Sequence, residues 1–201
     1  MNFAEQLTYW YLRLNGFIPL TNFVLHDDAD VAQPGNEHRH RTSDADLLAV
    51  RFPHVSERIG GNPDDWDHPH FEEWGIDLTQ TLGFIVEVKS GGWSADDLAA
   101  RHWRVIRGVQ RLGMFADPVA HEVANELSDR TRTNRDGYVV AKLLVGTYRQ
   151  ADAPWLYLDL RDAVRFIAQR MQRYDYRKHA DRMFFDGDLI QFLAWRGGEE
   201  L

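Results

Sequence analysis

The sequence predicts a mixed α/β domain: a helix, three strands, a second helix and a fourth strand, followed by an α/β extension. Apolar residues recur every three or four positions in Asn2–Asn15 and in Ser94–Gly113, the period of an amphipathic helix. Between and after them lie β-rich runs at Phe17–His26, Ser43–Phe52, Gly83–Gly92 and Tyr138–Tyr148. No internal repeat, low-complexity tract or linker divides the 201 residues. One domain (1–201) is expected, with its core over about residues 1–150 and the extension over about 151–201.

In the first helix Phe3, Leu7, Trp10, Tyr11 and Leu14 form the stripe, and Asn15-Gly16 supplies the stop. Asn2 with Glu5 three positions on fits a capping box, which gives Glu5 a structural role beside any functional one. Phe17–His26 reads as the first strand, followed by a polar loop to Arg41. The second strand, Ser43–Phe52, carries the apolar run Leu47-Leu48-Ala49-Val50, preceded by Asp44 and Asp46 on one face. Pro53–Thr81 is a polar connection of 29 residues without clear periodicity, a length that often marks a functional segment. Its Asp65, Asp67, His68 and His70 match no specific metal-ligand spacing, so a solvated loop is expected.

Gly83–Gly92 reads as the third strand, apolar through Phe84, Ile85, Val86 and Val88. Two charges interrupt it. Glu87 and Lys89 stand two apart, hence on one face, and burying either is costly unless it is paired, metal-bound or solvated. In the helix Ser94–Gly113, Ser94 is a suitable N-cap and Asp96 and Asp97 suit the first turn. Leu98, His102, Val105, Val109 and Leu112 form its stripe; Arg104, Arg107 and Arg111 fall on the opposite side, with Arg101 and Gln110 nearer the boundaries. Glu122–Gly137 suggests a short helix and a turn at Asp136-Gly137. Tyr138–Tyr148 and Trp155–Leu158 read as further strands, and Asp159 as the cap of a helix reaching about Arg177. That helix would turn Leu160, Val164, Ile167, Met171 and Tyr174 inward; an apolar segment, Leu189–Trp195, follows.

The chain has no cysteine, which excludes disulfides, thiolate nucleophiles and Cys-ligated metals. No apolar run approaches a membrane span and no signal-peptide pattern opens the sequence, so a soluble cytoplasmic protein without membrane contact is expected. The net charge of −8 is unevenly spread: residues 1–100 hold 6 Lys/Arg against 17 Asp/Glu, whereas residues 101–182 hold 16 against 10. A local basic surface suited to a polyanion is therefore compatible with an acidic total.

Consecutive strands joined by loops are most simply antiparallel neighbours, so the start of the second strand lies beside the end of the third. Asp46 and Glu87 would then meet at one end of the sheet, with Lys89 on the face of Glu87. Asp77, a rival acid, precedes the third strand and would fall at the other end. Two carboxylates and a backbone carbonyl such as that of Val88 are suitable ligands for Mg²⁺ or Mn²⁺. Such an ion activates water and neutralises phosphate charge, while a lysine assists.

Asp46 followed by Glu87-Val88-Lys89, on this element order over about Asn2–Tyr148, resembles the PD-(D/E)xK nuclease superfamily, which includes restriction endonucleases and Holliday junction resolvases. The resemblance implies a restriction endonuclease-like core and catalytic roles for Asp46, Glu87 and Lys89. It also implies a first-helix glutamate at the metal site, for which Glu5 is the matching position, and a glutamine in the following helix, for which Gln110 is a counterpart. The sequence reads Ala45-Asp46, without the family's proline, and the Pro53–Thr81 insertion lengthens the gap to Glu87. The expected activity is metal-dependent phosphodiester hydrolysis, with DNA as partner and Arg101, Arg104, Arg107, Arg111 and Gln110 along its backbone. A homodimer would suit cutting of both strands. Two other readings stay open: a non-catalytic nucleic-acid or protein-interaction module on the same fold, and a structural Glu87–Lys89 ion pair in an unrelated α+β protein.

Overall fold

Asn2 sets the first helix in place. In the computed structural model, which describes residues 2–26, 42–57, 59–94, 98, 102–149, 153–171, 173 and 187–197, its side chain accepts hydrogen bonds from the backbone N–H groups of Ala4 and Glu5. The Glu5 carboxylate accepts in return from the Asn2 N–H at 3.0 Å, completing the capping box at the head of α1 (Phe3–Leu14). The chain then enters a meander of three antiparallel strands: β1 (Ile18–His26), β2 (Thr42–Arg51) and β3 (Thr81–Lys89). A short helix, α2 (His68–Glu73), lies in the connection between β2 and β3.

From β3 the chain passes through α3 (His102–Leu112) and α4 (Asp117–Glu126) to a hairpin of β4 (Arg132–Arg135) and β5 (Tyr138–Gly146). β5 runs parallel to β3, with Ile85 opposite Lys142 and Glu87 opposite Leu144. β6 (Leu156–Asp159), α5 (Leu160–Met171) and α6 (Asp188–Gly197) complete the described chain. The result is a six-stranded mixed sheet in the order β1-β2-β3-β5-β4, with β6 pairing the second half of β5. Helices cover both faces. Side chains of α1, α2, α5 and α6 share one apolar core, and those of α3 and α4 the other.

The antiparallel order of the first three strands agrees with the sequence reading, and so does the cap of α1. Several boundaries differ for physical reasons. β4 reads Arg-Thr-Asn-Arg, with none of the apolar alternation that marks a strand. Tight turn geometry holds it: Asp136 (φ 55°) and Gly137 (φ 81°) both take positive φ, the two-residue turn whose twist suits a hairpin. The polar Glu122–Gly137 stretch belongs to α4 only at its start, because that helix begins at Asp117 with Pro118 in its first turn. The segment containing Leu189–Trp195 is helical. Gly113 (φ 68°) ends α3, while Asp96 and Asp97 lie outside the described residues. Among the described residues no helix is long and apolar enough to cross a membrane.

The Pro53–Thr81 connection is not simply a solvated loop. Asp65 and Asp67 are buried, and they tie the connection to the helices beneath it. Asp67 Oδ2 accepts from the Tyr11 hydroxyl at 2.9 Å and pairs with His70 Nδ1 at 2.9 Å, while its N–H donates to Asn15 Oδ1. From α5, Arg170 donates to the Asp65 and Trp66 carbonyls, and Arg173, beyond the end of that helix, donates to Asp65 Oδ1. These acids are anchors, which composition alone does not reveal.

The Tyr11–Asp67–His70 link has a definite pH signature. The Asp67 hydrogen bond raises His70 above the ordinary histidine range in spite of burial. Burial pushes Asp67 up, yet the hydrogen bonds from His70 and Tyr11 outweigh it and hold the carboxyl below its usual range. The His70 contribution is thus fully present below about pH 6.5 and lost as pH rises through the folded-state value; the Asp67 contribution is present above about pH 4 and lost as pH falls. Urea unfolding should show His70→Asn costing about 1–2 kcal/mol near pH 5.5 and much less near pH 8.5. An equal cost at both pH values would remove the charged link.

Candidate functional site

The end of β3 carries a carboxylate into an apolar layer. Ile85 packs in the α3/α4 core, and Glu87, two residues on, shares its face with a side chain only 6% exposed. Both oxygens are engaged: Lys89 Nζ donates to Oε2 at 2.8 Å, and Arg104 Nη1 donates to Oε1 at 2.8 Å. Two cations thus compensate one buried anion, which is what the cost of burying a charge demands.

Asp46 reaches this cluster because β2 changes face beside it. Ala45 and Leu48 belong to the α3/α4 core, whereas Leu47 and Ala49 belong to the opposite one, so strict alternation breaks at Asp46. The residue opposite on β1, between Thr21↔Leu47 and Phe23↔Ala45, is Asn22, with φ of 53°. Asparagine tolerates that left-handed conformation better than most residues. The β2–β3 ladder runs from Arg51↔Leu82 to Leu47↔Val86 and stops short of Asp46. Beyond it, Asp46 Oδ2 accepts the Val88 N–H at 2.7 Å and lies 3.7 Å from Lys89 Nζ. Burial, and next the charge of Glu87, lift the Asp46 carboxyl above its usual range, against the opposing pull of the Val88 N–H and Lys89. Asp46, Glu87, Val88 and Lys89 form one constellation.

Arg104 arrives by a matched register between α3 and β3. A Cβ on Gly108 would lie 3.0 Å from Ile85 side-chain atoms, and a Cβ on Gly83 would lie 2.8 Å from Leu112. The pairs Arg104–Glu87, Gly108–Ile85 and Leu112–Gly83 therefore advance four helix residues for every two strand residues. Four residues of helix rise about 6 Å and two of strand about 6.6 Å, so the elements stay in step. Helical spacing set Arg104 among the outward arginines; close packing at Gly108 turns it onto Glu87, with its side chain only 13% exposed. The i, i+4 series Arg104–Gly108–Leu112 is the sequence signal that would have found it.

The remaining candidates divide. Arg111 is exposed, with its guanidinium 4.4 Å from the Phe23 ring centroid. Arg107 donates to Gln110 Oε1 at 2.9 Å, and Gln110 in turn contacts Asp117 and His121, so this glutamine faces α4. Arg101 lies outside the described residues. The Glu5 carboxylate makes its capping contacts to Asn2, and its charge still acts on Asp46 in the unfavourable direction. Asp77 is exposed before the far end of β3, where it accepts from the Thr79 N–H and hydroxyl. Beyond Lys89, Trp93 stacks on Tyr148, and its backbone N–H and C=O both bond the Tyr148 hydroxyl, fixing the exit of β3 to the end of β5.

Among the described residues no group of three or more Asp, Glu or His side chains is arranged to hold a metal ion. Asp46 and Glu87 are two hard oxygen donors whose mutual repulsion a divalent cation would relieve. With the Val88 carbonyl and solvent they make a donor set of the kind Mg²⁺ accepts, provided Lys89 yields its bond to Glu87. No family model matches the chain, and no curated protein or solved structure matches it.

The α3–β3 register is testable without any assay of activity. Gly108→Val should force α3 from Ile85, cost about 1–3 kcal/mol in urea unfolding and loosen Arg104 from Glu87. Unaltered stability would mean that α3 does not depend on this close approach.

Proposed function

We propose that the protein is a divalent-metal-dependent nuclease on a restriction endonuclease-like core, hydrolysing phosphodiester bonds in DNA. The observation that carries the reading is the meeting of two acids from different strands, Asp46 and Glu87, with Lys89 2.8 Å from one and 3.7 Å from the other. In this reading Asp46, Glu87 and the Val88 carbonyl hold Mg²⁺ or Mn²⁺. When bound, that ion supplies water activation and neutralises phosphate charge. Lys89, released from Glu87, orients the attacking water and stabilises developing negative charge. Arg104 keeps the Glu87 carboxylate aimed while Lys89 moves, a positioning role distinct from binding DNA. Arg111 and Arg107 remain as phosphate contacts. Glu5 serves mainly as a cap whose charge adds to the pull on a cation near Asp46.

The competing reading, a non-catalytic module with a structural ion cluster, draws on the pairing of Glu87 with both Lys89 and Arg104, which balances its buried charge from within the chain. Calorimetric titration of Mn²⁺ separates the two. The nuclease reading expects binding by the wild type and its loss in Asp46→Asn. That substitution should raise unfolding stability by roughly 0.5–2 kcal/mol at neutral pH, since it removes a carboxylate whose charged form the fold disfavours. Lys89→Met should retain the metal and lower DNA cleavage by about 10²–10⁴-fold. A wild type that binds no Mn²⁺, or a Lys89→Met variant that cuts normally, would overturn the assignment.

A further inference from the structure

β5 holds a buried charge that the nuclease reading does not use. Lys142 is 2% exposed in a strand that is otherwise apolar and buried from Val139 to Gly146. Among the described residues its Nζ makes no hydrogen bond or salt bridge; its near neighbour is the Trp155 ring, with Nζ 5.3 Å from the centroid. The side chain lines a cavity of about 170 Å³, walled by Leu98 and Val105 on the helix side and by Ala153, Pro154 and Trp155 ahead of β6. His102 and Ser128 add the remaining polar groups.

This cavity is separate from the Asp46–Glu87 cluster. Lys142 pairs with Ile85 and stands on β5, and the α3 residues over it are His102 and Val105 rather than Arg104. Burial pushes the Lys142 ammonium down to about 8, with the more distant charge of Asp129 opposing. A buried ammonium costs stability unless something bound balances its charge. One cation matches one negative charge. The apolar walls match a compact hydrocarbon body, and a cavity of about 150 Å³ is enough for a benzene ring. A nucleotide is too large, and a bare phosphate would leave the apolar walls without contacts.

We propose that the Lys142 cavity is a binding site for a small organic monocarboxylate, with the carboxylate on Nζ and the apolar body against Trp155, Leu98 and Val105. The Ser128 hydroxyl in the same lining donates to the Asn125 carbonyl and to Asp129 Oδ1, which leaves Nζ as the group that recognises the carboxylate. His102, lowered by burial and next by the charge of Lys142, stays uncharged near neutral pH and does not compete for the anion.

Benzoate is a suitable probe. Calorimetric titration of the full chain near pH 7 should show saturable one-to-one binding with Kd of about a millimolar or tighter. Benzamide, of the same shape without the charge, and inorganic phosphate, charged without the ring, should each bind at least about tenfold more weakly. Lys142→Met keeps the length of the side chain, removes its charge and should fold at least as stably, and it should lose benzoate by the same factor. Binding should also weaken between about pH 7 and pH 9 as Lys142 releases its proton, with His102, whose proton is lost at lower pH, neutral throughout and Asp129 the carboxylate whose charge acts on both groups. No saturation at about 20 mM, equal binding of benzamide or phosphate, or undiminished affinity in a folded Lys142→Met would each overturn the proposal.

Discussion

An anion inside an apolar layer must be answered by cations at fixed places, and the Glu87 carboxylate imposes that demand on everything around it. Lys89 answers from the same strand, two residues on. Arg104 answers from α3, which must then lie close enough to reach, so Gly108 replaces a side chain where helix and strand touch. Asp46 adds a second negative charge, and the Val88 N–H and the shared Lys89 do not offset its burial beside Glu87, so its carboxyl is lifted. The sheet end is held in electrostatic tension. A fold that needed only stability would be better served by apolar residues at these positions.

The strand meander, the first helix and its cap were legible because they rest on local signals: period, cap residues and turn glycines. The meeting of Asp46 with Glu87 followed from antiparallel order, a topological inference that needs no side-chain detail. The break in alternation at Asp46 was invisible, because it depends on a left-handed Asn22 on the neighbouring strand. Helical spacing places Arg104 outward because it sorts residues by angle alone and takes no account of how near the helix comes to the sheet. Asp65 and Asp67 read as loop acids, since only the approach of α1 and α5 makes them anchors. Polar β4 was missed because it depends on a turn and on pairing with β5, not on its own composition.

Lys142 and Glu87 illustrate two ways of placing a charge in the same sheet. Glu87 is saturated by protein cations, so any ligand there must first displace an intramolecular partner. Lys142 faces a cavity with an aromatic ring for a neighbour, so a ligand there meets little internal competition. The first arrangement favours selectivity for a strongly charged ion that can replace a lysine. The second favours weakly charged, partly apolar molecules.

The common step of α3 and β3 also limits how this chain can change length. Residues added between β2 and β3 enter the connection that contains α2 and leave the pairing of Glu87 with Arg104 untouched. One residue added within β3 between Gly83 and Glu87 would turn the carboxylate to the other core. One added within α3 between Arg104 and Leu112 would swing the guanidinium about 100° around the helix. Only paired changes, two residues in the strand with four in the helix, preserve the match. Insertions are therefore expected to accumulate before Thr81 and to be nearly absent from Gly83–Lys89 and His102–Leu112, a pattern of length variation set by two unequal rulers laid side by side.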